Sequence, residues 1–143
     1  MNMETARNIL IHDDPETLMR YGITLSRSGE RDRNLESLEI FDAITRQDPH
    51  NALAWSMWGG GLFRFDRYGE AEEKLRTALS IDPDCHLALR NLGSVYAQTL
   101  KNKRALDCFT RAARSGDPQI KAESAYLLGM MLLRLGEYEL GWK

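Results

Sequence analysis

Apolar residues along this chain recur three, four and seven apart, and the recurrence stops and restarts at regular breaks. The clearest case is Ala52 to Pro83, ALAWSMWGGGLFRFDRYGEAEEKLRTALSIDP. Trp55, Trp58, Gly59 and Leu62 fall on one face of a helix with 3.6 residues per turn. Asp66-Arg67-Tyr68-Gly69 interrupts the pattern. Ala71, Leu75, Ala78 and Leu79 then form a second face that ends at Asp82-Pro83. The stretch predicts two short antiparallel helices joined by a turn. A single hairpin cannot bury both apolar faces, so neighbours of the same kind are expected.

Those neighbours are visible at a fixed spacing. Stepping 34 residues from Gly59, Ala71, Leu75 and Ala78 reaches Gly93, Ala105, Phe109 and Ala112, and stepping 34 back from Pro83 reaches Pro49. A period of 34, with a small residue at each close helix crossing and a bulky one between, resembles the tetratricopeptide repeat family. The resemblance implies an all-α fold, a right-handed superhelical solenoid of antiparallel helix pairs. It divides the chain into an extension (1–14, a short helix or disordered), repeat one (15–50), repeat two (51–84) and repeat three (85–118). Residues 119–143 then hold a fourth first helix and a truncated or capping start of its second.

In chain order, Asp14-Pro15-Glu16 reads as a helix start, with Asp14 as N-cap and Pro15 in the first turn. Leu18, Tyr21, Gly22 and Leu25 make the apolar face of the first helix, and Leu38, Phe41 and Ile44 that of the second. Gly22 to Pro49 is 27 residues where Gly59 to Pro83 is 24, so three residues are inserted, most simply in the polar loop Ser28 to Asn34. Repeat three carries Leu89, Leu92, Gly93 and Tyr96, with Leu100-Lys101-Asn102 in place of a glycine-containing turn. The last helix is expected to bury Ala125, Leu128, Gly129 and Leu132 and to turn at Gly136-Glu137-Tyr138. The chain then stops inside the next expected helix. Either a longer array or a partner completes the stack, or Trp142 folds back over Leu132 and Leu135.

Composition fits such a domain and narrows its chemistry. Of 143 residues, 43% are hydrophobic and 28% charged, which is ordinary for a globular chain. A net charge of −2 gives no electrostatic footprint for nucleic acid. No apolar run is long enough for membrane insertion, and Met1 to Asp14 has no signal-peptide core. Two cysteines, Cys85 and Cys108, make no disulfide framework and point to a reducing, cytoplasmic setting. No catalytic constellation is present. His12, His50 and His86 are scattered, and Cys85-His86 with His50 makes no recognisable zinc spacing. Gly59-Gly60-Gly61 lacks the Lys-Ser/Thr of a phosphate loop. No metal, cofactor or enzymatic activity is expected.

Three glycines inside one helix need a reason, since each costs about 1 kcal/mol relative to Ala. Gly59 fits the close helix crossing. Gly60 lies on the stripe Ser56, Gly60, Arg64, which the family resemblance places in the groove lined by the first helix of each pair. There it would open a notch for a partner backbone. Equivalent stripes are Met19, Ile23, Arg27; Arg90, Ser94, Gln98; and Tyr126, Met130, Arg134, with Phe63 and Leu87 flanking. Arg27, Arg64, Gln98 and Arg134 then form one row, against acidic outward positions Glu36, Glu39, Asp42, Glu70, Glu72 and Glu73. A basic, partly apolar groove suits an extended or helical peptide with apolar anchors and acidic residues.

The function implied is a non-enzymatic protein-interaction module. The resemblance extends to two bacterial subgroups: small chaperones of type III secretion, and repeat arrays that precede a glycosyltransferase domain. The two-carboxylate clamp of the cochaperone members is not matched. Its positions are Met19, Ile23, Met57, Leu87 and Asn91, of which Asn91 alone can donate. The apolar C-terminal end, near Leu140 and Trp142, is open to homo-oligomer formation.

Overall fold

A computed structural model of the chain describes residues 14–140 and the side chains of 14–136. The described residues form seven helices and no strand: α1 (Pro15–Ser26), α2 (Arg31–Gln47), α3 (Ala52–Arg64), α4 (Tyr68–Ile81), α5 (His86–Gln98), α6 (Asn102–Ala112) and α7 (Pro118–Leu140). Each packs on the next, and α3 also meets α5, as α5 meets α7, so the odd-numbered helices make one layer. This is the solenoid of antiparallel helix pairs that the period of 34 implies. The expectations for 1–13, for Trp142 and for the side chain of Leu140 lie outside the described residues.

Local chemistry sets the helix ends. The Asp14 carboxylate accepts from the Thr17 N–H at 2.9 Å, with Pro15 in the first turn of α1. Asn51 caps α3 in the same way through the Ala54 N–H at 3.0 Å. α3 and α5 both end in a Schellman motif, in which a left-handed residue turns the chain back. Arg67 N–H reaches the Leu62 carbonyl at 3.1 Å and Lys101 N–H that of Tyr96 at 2.8 Å. The left-handed positions are Asp66 (φ 58°) and Leu100 (φ 62°). Gly69 is not part of this turn. It lies within α4.

The three inserted residues of repeat one do not lengthen the loop as expected. α2 begins at Arg31 and runs 17 residues, against 14 for α4. One extra turn of helix absorbs the insertion, because RDRN continues a helix as readily as it forms a loop.

Glycine positions the helix pairs. A Cβ on Gly22 would sit 2.9 Å from Phe41, on Gly59 2.5 Å from Leu75, and on Gly93 2.6 Å from Phe109. In each pair a bulky side chain of the second helix therefore fills the space a first-helix side chain would take. Around Leu75 and Phe109 grows one buried cluster reaching from Leu38 to Met131. Repeat one has its own cluster around Leu18, Ile40, Phe41 and Ile44, and Trp58 packs against both.

α7 departs from the sequence expectation twice. It runs unbroken to Leu140, so there is no turn at Gly136-Glu137-Tyr138. Its buried side is Ser124 and Met131, with Leu128 half-buried, whereas Ala125 and Leu132 are exposed. α7 leans on α5 and α6 with one side only. Among the described residues no eighth helix covers the other.

Candidate functional site

The odd-numbered helices enclose a groove of about 590 Å³ on one face of the solenoid. α1 contributes Ser26 at its edge. α3 contributes Met57, Gly60, Gly61, Phe63 and Arg64, and α5 contributes Leu87, Arg90, Asn91 and Ser94. α7 closes the far side with Ala122, Glu123, Tyr126 and Leu127. No residue of α2, α4 or α6 takes part. On α1, α3 and α5 the hairpin partner takes the side of the landmark glycine, and Phe63 also meets that partner, its ring 5.7 Å from that of Tyr68.

The polar groups of the groove are mostly engaged with one another. Arg90 forms an ion pair with Glu123 and donates to the Asn91 side-chain oxygen at 3.1 Å. Asn91 in turn donates to the Ser56 carbonyl at 3.2 Å, tying α5 to α3. Arg64 differs. Its guanidinium donates to the Ser26 carbonyl at 2.6 Å and has no ion pair among the described residues. A cation that faces an apolar groove and is balanced only by a carbonyl leaves most of its five donors for an incoming acceptor.

The structure sorts the fourteen residues singled out in the sequence. Gly60, Phe63, Arg64, Leu87, Arg90, Ser94 and Tyr126 line this groove together. Met19 and Ser56 do not. Met19 is buried in the repeat-one core, and Ser56 is fully buried with its hydroxyl bonded to the Ala52 carbonyl and 3.2 Å from the Cys85 sulfur. On α3 the i, i+4 stripe reaches the groove at Gly60 and Arg64, whereas Ser56, one turn earlier, is turned inward to Cys85 at the start of α5. Ile23 packs against the same core. Arg27, Gln98 and Met130 are exposed outside the groove lining, and Arg134 lines a separate hollow with Leu100, Asn102 and Leu135. The expected row of Arg27, Arg64, Gln98 and Arg134 is thus not one continuous surface of this groove.

Nor does Gly60 open a notch. A Cβ there would lie 2.7 Å from the Asn91 amide nitrogen, so the Asn91 side chain already fills the space. Gly61 accommodates Leu38 of α2 in the same manner. The glycine triplet therefore admits three helices at once: α4 at Gly59, α5 at Gly60 and α2 at Gly61. Asn91 and Glu123 escaped the stripe tracing. For Glu123 a signal existed, since it follows Arg90 by 33 residues, one turn earlier on the next groove helix.

Comparison with known proteins agrees with this architecture. The family model described as "Tetratricopeptide repeat" matches residues 29–84, 56–116 and 90–140, most of the chain. The chain belongs to the tetratricopeptide repeat family. The auxiliary subunit NAA15 of the N-terminal acetyltransferase A complex of Arabidopsis thaliana is 38% identical over 87 residues. That match takes in 60% of this chain, which spans only 9% of the length of that subunit. A bacterial origin gains no support from that plant relative.

Among solved structures, the tetratricopeptide domain of Sgt2 from Aspergillus fumigatus superposes with a TM-score of 0.74 at 16% identity, covering 90% of this chain and 83% of that one. The first such domain of Spaghetti (RPAP3), bound to the HSP90 peptide SRMEEVD, gives 0.69 at 16%, covering 88% and 98%. The Yersinia enterocolitica type III secretion chaperone SycD, in complex with a peptide of the translocator YopD, gives 0.67 at 13%, covering 83% and 95%. At these identities the likeness is one of fold. Among the described residues no helix is long and apolar enough to cross a membrane.

Proposed function

We propose that this tetratricopeptide chain is a non-enzymatic interaction module whose groove binds an extended peptide carrying an apolar anchor beside a carboxylate. The observation that carries the reading is Arg64, a guanidinium without an acidic partner among the described residues, in a groove it lines together with Phe63, Met57 and Leu87. Apolar walls supply non-directional burial, and a planar fork supplies geometry for one carboxylate or a pair of backbone carbonyls. The peptides bound by Spaghetti and SycD in their structures support a peptide as ligand class. An auxiliary subunit as relative supports a role in assembly rather than chemistry.

The test is selection from a displayed library of random peptides on the wild-type chain, followed by affinity measurement on variants. Enriched peptides pair an aromatic or aliphatic residue with Asp or Glu. Arg64→Glu and Tyr126→Ala each weaken them by about 10-fold or more, one decade being 1.4 kcal/mol. The Arg27→Glu/Arg134→Glu double variant, outside the groove, leaves affinity within about 3-fold, less than 1 kcal/mol. Binding insensitive to Arg64→Glu, with helicity intact, would place the ligand elsewhere.

A further inference from the structure

The outer side of α7 presents an apolar stripe whose spacing is symmetric. From Ser124 to Leu133 the helix carries no charged residue, yet Leu132 and Leu133 are 54% and 63% exposed. Ala125, Gly129, Leu132 and Gly136 follow one another at i, i+4, i+7 and i+11, a single face of about three turns. In the three preceding pairs the landmark glycine is covered by Phe41, Leu75 or Phe109, but a Cβ on Gly129 would meet nothing within 4 Å. The structure thus shows what such a face receives elsewhere in the chain: a bulky apolar side chain from an antiparallel helix.

We propose that this stripe receives the α7 helix of a second copy of the chain, packed antiparallel about a two-fold axis. Two features of the molecule single out that occupant. The first is register. In an antiparallel pair, 129 faces 132 and 125 faces 136 about the same point between residues 130 and 131. Leu132 of each copy therefore lies over Gly129 of the other, Ala125 faces Gly136, and Leu128 faces Leu133 at the flank. An isologous interface needs this self-complementarity, with knob and notch on one surface.

The second feature is the opposite end of the solenoid. α1 exposes Glu16, Thr17, Arg20 and Thr24, with Arg20 paired to Glu16 at 2.7 Å. Head-to-tail stacking would set this charged face on the α7 stripe and desolvate both ions against apolar atoms. Two-fold pairing sets apolar residues against one another from Ala125 to Gly136. Glycine and alanine at the crossing let the two backbones approach as closely as they do within each hairpin.

Sedimentation velocity over a concentration series, with reductant present, tests the proposal. The wild-type chain is expected to show a reversible monomer–dimer equilibrium. Gly129→Leu fills the notch and Leu132→Ala removes the knob, and each weakens the dimer by about 10-fold or more. The Gly129→Leu/Leu132→Ala double variant exchanges knob and notch across the axis and restores the dimer to within about 3-fold of wild type. Circular dichroism of each variant separates lost pairing from lost folding. A wild-type chain that stays monomeric at ~1 mM, the weakest association such a series resolves, overturns the proposal and gives the stripe to a helix of another sequence. A dimer indifferent to both single substitutions overturns it as well. Neither result tests the groove role of Arg64, which lies on α3.

Discussion

At the residue scale, glycine and its substitutes at special positions decide how tightly the helices sit. Gly59→Ala adds a Cβ 2.5 Å from Leu75, a branched side chain that is itself fully buried and cannot swing away. The overpacking cost, about 1–3 kcal/mol, outweighs the gain of about 1 kcal/mol in helix propensity over most of its range. Urea unfolding is therefore expected to show a net loss of up to about 2 kcal/mol, from those same two terms. Leu100 is the converse. It holds φ 62° with its side chain 72% exposed, so it bears left-handed strain and gains little from burial. Leu100→Gly removes a strain of about 1–2 kcal/mol and is expected to stabilise by ~1 kcal/mol after glycine's own entropy cost. A destabilised Leu100→Gly would show that the exposed leucine matters more than the turn. The landmark glycines were legible from spacing alone, because a fixed period with a small residue has one simple meaning. The occupant of Gly60 was not, since Asn91 reaches it from 31 residues away and no local pattern announces that.

At the element scale, helix faces were legible where both sides of a helix are covered and misread where one is not. α3 to α6 have neighbours on two sides, so their apolar periodicity reports burial directly. In α7 the residues matching the family pattern, Ala125 and Leu132, are exposed on the side that no helix covers among the described residues. Ser124 and Met131 bury against α5 and α6 instead. The insertion in repeat one was counted correctly and assigned wrongly, because polar residues at a helix start and in a loop look alike. Cys108 reports how firmly α6 is held in this arrangement. It is 5% exposed, and burial first, then the nearby Asp107 charge, pushes its thiol from 9.0 up to about 11. A thiol whose folded pKa is raised keeps its proton longer than the unfolded chain does. Stability is therefore constant below the unfolded value, falls as pH rises through about 9 to 11, and levels off above. With solvent screening allowed for, the fall is up to about 2 kcal/mol. Urea titrations across that range, compared with Cys108→Ala, measure it. A wild-type curve parallel to that of the variant would mean that α6 opens enough to solvate the thiol.

At the scale of the whole molecule, a solenoid has no single centre, and its stability is a sum over neighbouring helices. The interior elements α3, α4, α5 and α6 contribute most of the large cluster, whereas repeat one has a separate cluster joined to it through Trp58. α1 and α7 each lack a covering helix on one side among the described residues. Local opening should follow this gradient, since segments with fewer buried contacts open at lower free energy. Amide hydrogen exchange is expected to be slowest in α3–α6, intermediate in α2, and fastest in α1 and the C-terminal half of α7. The two ends should then separate with concentration. Association through α7 stabilises that helix by mass action and leaves α1 unaffected. Raising the protein concentration should therefore slow exchange around Gly129 to Leu133 while α1 keeps its rate. Equal slowing at both ends would point to head-to-tail stacking, and uniform protection along the chain would contradict the one-dimensional account of its stability.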